Sequence, residues 1–390
     1  MQPTLSVRRA AQRAWALTAC NRKRAPRYRA WLFMASAAER AVVVSDLSSF
    51  RRSGSIPLGA VPDQVLSVNG KLFAVCAGSQ NIVRIDPAAR TITGKTEIRG
   101  KIVGACLTTD GNYLVVAASQ PDTISLLDTN SGRIVHRTSL PGVAHSVAAS
   151  AAQAAVLVKP QPDRGSSTLL ARVSIPDGAL IGVSAIDAGA VSALGYRKDG
   201  ETIYVAAPDV RQIVSLDAAS GSVLARLPVP IRPARFCTDG TGGQVFVTGA
   251  DRDPQLVIFS PYQNQIDQTL YAGHALFGMA VAPVRNLLFV SNPDAGDVTI
   301  LDIDTRRVFG SVRTGGNPRE ILIAPSADST TPEEYAFVVD GDSGDVSVIH
   351  IPVVLHKPGD AFIAEAPKPL FAVFHGGAEP QSAVIVPYTS

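Results

Sequence analysis

The sequence has little from which to build a metal centre or a disulfide framework. Its four cysteines, Cys20, Cys76, Cys106 and Cys237, stand far apart with no CxxC spacing, which argues against a zinc knuckle and a stapled scaffold alike. The last three lie in apolar, strand-like runs, where a free thiol packs as a small hydrophobe. The six histidines include no HExxH or HxH arrangement and carry no zinc signature. No apolar run approaches the roughly 18 residues of a membrane-spanning helix. Acidic residues are missing altogether from positions 1–29, which hold Arg8, Arg9, Arg13, Arg22, Lys23, Arg24, Arg27 and Arg29. The formal charge of +3 therefore hides two unlike parts: without those eight bases, 28 remain against all 33 acids, a net of −5. A nucleic-acid binder concentrates basic charge on its folded domain. Here that part is mildly acidic, which argues against DNA or RNA as partner.

What is present is a period. With 46% hydrophobic and 18% charged residues the chain is globular, and 390 residues would suggest two or three domains unless repeats extend a single one. Short apolar runs ending in a polar residue recur: AVVVSD at Asp46, NIVRID at Asp86, TISLLD at Asp128, QIVSLD at Asp217 and VTILD at Asp302. Weaker copies, LLARVS at Ser174, LVIFS at Ser260 and VSVIH at His350, fill the gaps at spacings of about 40 to 48 residues. That is the length of one four-stranded propeller blade. The cleanest unit reads ALFGMAVAP, NLLFVSN, GDVTILD and RVFGSVRTGG, four strand-sized runs bounded by turn formers. The Ala-rich stretch HSVAASAAQAAVLV is helical by propensity, but it falls where the first two strands of a unit belong, and register outweighs so weak a preference.

The repeat resembles that of the YVTN-type β-propeller proteins. Phe289-Val290-Ser291-Asn292 matches the family's Tyr-Val-Thr-Asn, Val298 to Asp302 its Val-Ser-Val-Ile-Asp, and Thr314-Gly315-Gly316-Asn317-Pro318 the junction to the next blade. Val245-Phe246-Val247-Thr248 keeps the second element, while residues 144–188 keep only the hydrophobic pattern. The resemblance spans about residues 30–388 and implies fold more than function, since one fold hosts many functions. Inner strands are expected to start near Gln64, Gly104, Ser146, Val191, Ala234, Gly278, Arg319 and Gln381. The expectation is an all-β, eight-bladed propeller over residues 30–390, or seven blades if the degenerate stretch is an insertion. The terminal EPQSAVIVP reads as an innermost strand lacking three partners, which RAWLFMAS, RAVVVSDL and RRSGSIPLG supply. Joining both chain ends in one blade closes the ring and leaves no open seam.

Two motifs invite chemistry and fit turns better. GDSGD at Gly341–Asp345 looks like a protease nucleophile loop, but Asp345 and Val346 stand where Gly and Pro would follow and no His and Asp partners occur in a matching order. Its Asp340, Asp342 and Asp345 suggest calcium, yet Gly344 occupies a place where a calcium loop carries an acid. Asp, Ser and Gly are what a tight turn needs.

Function is expected at the mouth of the channel, in the linkers from an outer strand to the next inner one. Asp63, His145, Arg235, His274, Phe277, Arg319, Glu320, His375 and Gln381 fall in or beside those linkers. Aligning inner strands puts Asp63, His145, Phe277, Arg319 and Gln381 at equivalent positions, with Arg319 and His145 as the expected contacts to an anionic or polar ligand. Leu17-Thr18-Ala19-Cys20 fits a bacterial lipobox behind a basic n-region, so Cys20 is the expected lipidation site and residues 1–29 a leader and tether. The expectation is a binding protein of the cell envelope, periplasmic or extracellular and lipid-anchored, that takes a protein partner or small ligand and no cofactor or metal. It would touch the membrane only through that anchor. A cytoplasmic location is the alternative, and a lactonase-like hydrolase or haem-d1-type propeller the alternative activity. Neither a lactonase His/Arg/Glu set nor a haem-ligand motif maps onto this chain residue by residue.

Overall fold

The computed structural model describes residues 28–160, 167–250, 252–324, 334–355 and 369–388; Cys20 and its basic surroundings lie outside them. These residues form eight antiparallel sheets of four strands each, numbered as blades 1 to 7 in chain order over residues 64–97, 101–139, 143–186, 193–228, 233–271, 279–313 and 318–375, with blade 8 joining 380–387 to 30–57. Strands are lettered a to d from the channel outward. Blade 6 shows the plan, with a at Met279–Ala282, b at Leu287–Asn292, c at Asp297–Asp302 and d at Arg307–Arg313. Strand b of this blade is buried at all six positions, whereas its strand d is mostly exposed. A strand with protein on both faces needs apolar side chains on both, which is why b and c read as continuous apolar runs.

The core is a set of wedges between blades, and alternate residues of one strand feed different wedges. Phe33 and Ala35 of blade 8 pack with Val65, Leu72 and Ala74 of blade 1. Leu32 and Met34 turn the other way, onto Phe337, Val339 and Val348 of blade 7. The same logic settles the degenerate stretch, which forms a complete blade 3: Val143–Ala149, Gln153–Lys159, Thr168–Ser174 and Leu180–Ile186. Ala154, Val156 and Val158 enter one core, while Ala155 and Leu157 enter the next. Burial on both faces overrides the helical propensity of alanine there, and the seven-blade alternative falls.

Arginines bolt some blades together. Arg172 on strand c of blade 3 is only 5% exposed. Its Nη1 donates to the carbonyl of Ala218 at 3.1 Å and to that of Ala219, both in a turn of blade 4. Gly221 makes room, since a Cβ there would sit 2.8 Å from Arg172 Nε, and its φ of +73° suits glycine. The equivalent Arg84 of blade 1 reaches the carbonyl of Asn130 in blade 2 at 3.4 Å.

Blade 8 closes the ring as expected. Its strand a, Pro380–Pro387, pairs antiparallel with b, Ala30–Ser36, followed by c, Ala41–Asp46, and d, Arg51–Pro57. Tyr388 fastens the seam: its hydroxyl donates to Asp46 Oδ1 at 2.6 Å, and its ring lies 4.7 Å from that of Trp31. The guanidinium of Arg90, from blade 1, covers the Trp31 ring at 3.7 Å.

Candidate functional site

The mouth is built by a repeated irregularity in strand a. In blades 2, 3, 5, 7 and 8 the register against strand b slips near the start, so two residues of a face one of b. In blades 1, 4 and 6 the backbone N–H groups of Asp63, Ser192 and Phe277 reach the carbonyls of Val75, Ala206 and Ser291, residues that also pair with the next position on strand a. Matching the blades on strand b places Asp63, Val103, His145, Ser192, Ala234, Phe277, Arg319 and Gln381 at the first of these two positions. Gln64, Gly104, Ser146, Ala193, Arg235, Gly278, Glu320 and Ser382 hold the second. A bulge re-aims side chains, so these consecutive residues serve different spaces.

Between blades 5, 6 and 7 the mouth opens into a cavity of about 610 Å³, walled by Arg235, Arg252, Phe277, Asp294, Asn317, Arg319 and Asp342 among others. The local sequence brings its parts together. A Cβ on Gly278 would sit 1.9 Å from the carbonyl oxygen of Arg319, so only glycine lets blade 7 approach here. Ser291 then clasps the junction, its Oγ donating to that carbonyl at 3.0 Å while accepting from the Gly278 N–H at 2.8 Å. As a result two guanidinium groups converge on one ring: Arg235 lies 3.6 Å from the Phe277 centroid and Arg319 lies 5.0 Å from it. Asp294 is committed to Arg252 at 3.1 Å, and Asp342 accepts from Asn317 Nδ2 at 2.9 Å. Among the described residues no carboxylate pairs with Arg235 or Arg319. Burial pushes the Arg235 guanidinium below its ordinary value, and the charge of Arg319 adds to the effect. Two mutually repelling cations that share one aromatic ring can receive an oxyanion through forked donors.

A smaller cavity of about 400 Å³ lies alongside, between blades 7, 8, 1 and 2, and holds Asp63, Gln64, Glu320, Gln381 and Ser382. Burial pushes the Glu320 carboxyl up to about 7, against an opposing hydrogen bond from the Ala383 backbone. Asp63 Oδ2 accepts from the Ala77 N–H at 2.6 Å. The mouth thus has a cationic side and an anionic side.

The structure does not gather the three histidines. His145 lies on strand a of blade 3, away from Arg319, and burial together with Lys159 holds its imidazole below the usual range. His274 is exposed in the linker from blade 5 to blade 6 and does not wall the cavity. His375 is the last residue of strand d in blade 7, with its Nδ1 3.0 Å from Asp345 Oδ1; the linker begins only after it, so it sits at the outer edge rather than the mouth. GDSGD is the b–c turn of blade 7, where Asp340 accepts backbone N–H groups from Asn317, Asp342 and Ser343. Those bonds outweigh burial and hold its carboxyl below the ordinary range. Among the described residues no group of three or more His, Cys, Asp or Glu is arranged to hold a metal ion. Cys76, Cys106 and Cys237 are free, with burial raising the thiols to about 11, 12 and 12.

Sequence reasoning missed Arg252 and Asp294 and read Asp342 as a turn residue without placing it at the mouth. All three lie in b–c turns, and alternation of strand direction puts those turns on the same face as the linkers, a signal the topology alone could have supplied.

No family model matches the chain, and no curated protein matches it. Solved structures do, at identities that speak for the fold alone. AztD from Citrobacter koseri is similar with a TM-score of 0.68 at 14% identity, over 93% of this chain and 99% of that one. The dihydro-heme d1 dehydrogenase NirN in complex with DHE gives a TM-score of 0.68 at 11% identity, over 92% and 76%. A functionally unknown protein from Desulfotomaculum acetoxidans gives 0.56 at 14%, over 72% and 95%.

Proposed function

We propose that this chain is a non-catalytic, YVTN-like binding propeller of the cell envelope, whose mouth captures a small anionic ligand between Arg235 and Arg319. The observation that carries this reading is the pair of guanidinium groups on one phenylalanine ring without an acidic partner among the described residues. Holding like charges together is unfavourable, and an anion between them reverses the sign of the interaction. Phe277 orients both groups by cation–π attraction, which cuts the entropy lost on binding. A space of about 610 Å³ exceeds what an inorganic anion fills and falls in the range of small-molecule sites. That NirN was solved in complex with DHE supports a small molecule over a purely structural role. The envelope location rests on the lipobox-like segment ending at Cys20.

Titration calorimetry with phosphate, citrate and straight-chain carboxylates tests the site. Arg235→Ala/Arg319→Ala is expected to weaken the best of them at least about tenfold while leaving the protein folded, since the two lost cation–π contacts are offset in part by relief of the repulsion between like charges. Equal binding by the double variant would move the site elsewhere. A Soret-type band from the purified protein would replace the small anion with a tetrapyrrole.

A further inference from the structure

Resting on the anion reading, we propose that the smaller cavity is a second subsite that takes the ammonium end of the same molecule, so that the ligand is zwitterionic. The two spaces meet at one bulge: Arg319 walls the larger cavity and Glu320, the next residue, walls the smaller. The two residues are consecutive on strand a of blade 7, so a single strand separates the two spaces, and the proposed ligand spans it. The smaller space offers acceptors and no cation, for its wall contains no Lys, Arg or His among the described residues. Gln381 turns its Nε2 away to the carbonyl of Glu379 at 3.2 Å, which leaves its side-chain oxygen for a donor. One oxygen of Asp63 is committed to Ala77, and the other is free of partners among the described residues. Ile102, Val103 and Ala105 of blade 2 supply an apolar wall against which methylene groups can lie.

The Glu320 carboxyl is a charge without a counterion, which is why burial lifts it to about 7. An ammonium group would stabilise its ionised form. Among the described residues Asp63 is the only other titratable group in that wall, and Arg319, although adjacent in sequence, walls the other cavity. Selectivity for the amine is therefore expected to grow as pH rises from 6 to 8 and Glu320 loses its proton.

The test uses the full chain and straight-chain ω-amino acids of four to eight carbons, set against unsubstituted acids and α,ω-dicarboxylic acids of the same lengths, by calorimetry at pH 8. At the best length the ω-amino acid is expected to bind about tenfold tighter than the plain acid, the order of one charge-assisted hydrogen bond, and the diacid more weakly than either. Glu320→Gln should erase the preference, and wild type at pH 6 should show a reduced one. A diacid that binds as tightly as the amino acid overturns the proposal, as does a preference that survives in Glu320→Gln. If plain acids bind without any amine preference, only this inference falls. If no carboxylate binds, the arginine-pair reading falls and this one with it.

Discussion

Blade 6 comes from one continuous stretch, and its b–c turn is held by its own side chains: buried Asn292 donates through Nδ2 to Asp297 Oδ1 at 2.9 Å and to Thr299 Oγ1 at 2.8 Å. Blade 8 joins strands from opposite ends of the chain and is fastened by Tyr388 reaching Asp46 across 342 residues. The two sheets bury their strands alike, yet one is assembled by local bonds and the other by a closure whose entropic cost the whole ring must offset. The difference separates what holds a blade from what holds the ring.

The largest test of that separation is deletion of residues 380–390. It removes strand a of blade 8, takes Ala383 and Val386 out of two cores and unpairs Ala30–Ser36. Loss of the cooperative melting transition, with aggregation on gel filtration, is expected; a monomer with an unchanged Tm would show that closure does not hold the ring. Next comes Asn292→Ala, which leaves Asp297 and Thr299 short of a donor without touching the ring. About 1–3 kcal/mol should be lost, read by denaturant unfolding with an unchanged m-value, since a changed one would signal that damage had spread.

Tyr388→Phe removes one bond of the seam and should cost about 1 kcal/mol at neutral pH. Burial pulls the Asp46 carboxyl up, but hydrogen bonds from Tyr388, Ser48 and Ser49 win and hold it below its ordinary value. A depressed carboxylate stabilises the fold above its unfolded pKa and loses that contribution as pH falls through the folded one. The gap between wild type and Tyr388→Phe should therefore narrow in acid, below about pH 4. The last test lies at the mouth, where neither kind of fastening operates and the effect belongs to one side chain. Glu320 is raised to about 7, so its contribution is whole below the unfolded value near 4.5 and fades as pH rises through 7. Glu320→Gln should run level with wild type in acid and above it at pH 8, and parallel curves would sink that assignment.

The blades were legible because strands b and c need apolar residues on both faces, which leaves anchors such as Asp128 and Asp302 at a steady spacing, kept even by Ser174 in the degenerate blade 3. Closure was legible because Pro380–Pro387 had no partner nearby. The equivalence of Asp63, His145, Phe277, Arg319 and Gln381 could also be read, since it follows from counting along strand a. Which of them meet could not. The bulge sends Arg319 and Glu320 to different cavities, and the approach of Arg319 to Phe277 depends on Gly278 admitting the neighbouring backbone. His375 was misplaced because the end of an outer strand and the start of a linker look alike in sequence.

The seam between Tyr388 and Asp46 also sets a clock on synthesis. Asp46 leaves the ribosome 342 residues before Tyr388, an interval of about 17 to 70 s at the usual elongation rates of roughly 5 to 20 residues per second. Throughout that time the strand Ala30–Ser36 has an unpaired edge, and every blade made meanwhile belongs to an open arc. Until Pro380–Pro387 has been made, a nascent chain thus carries an edge that can pair with a neighbour on the same message. Slowed elongation or a stop codon before Pro380 would lengthen that exposure or make it permanent.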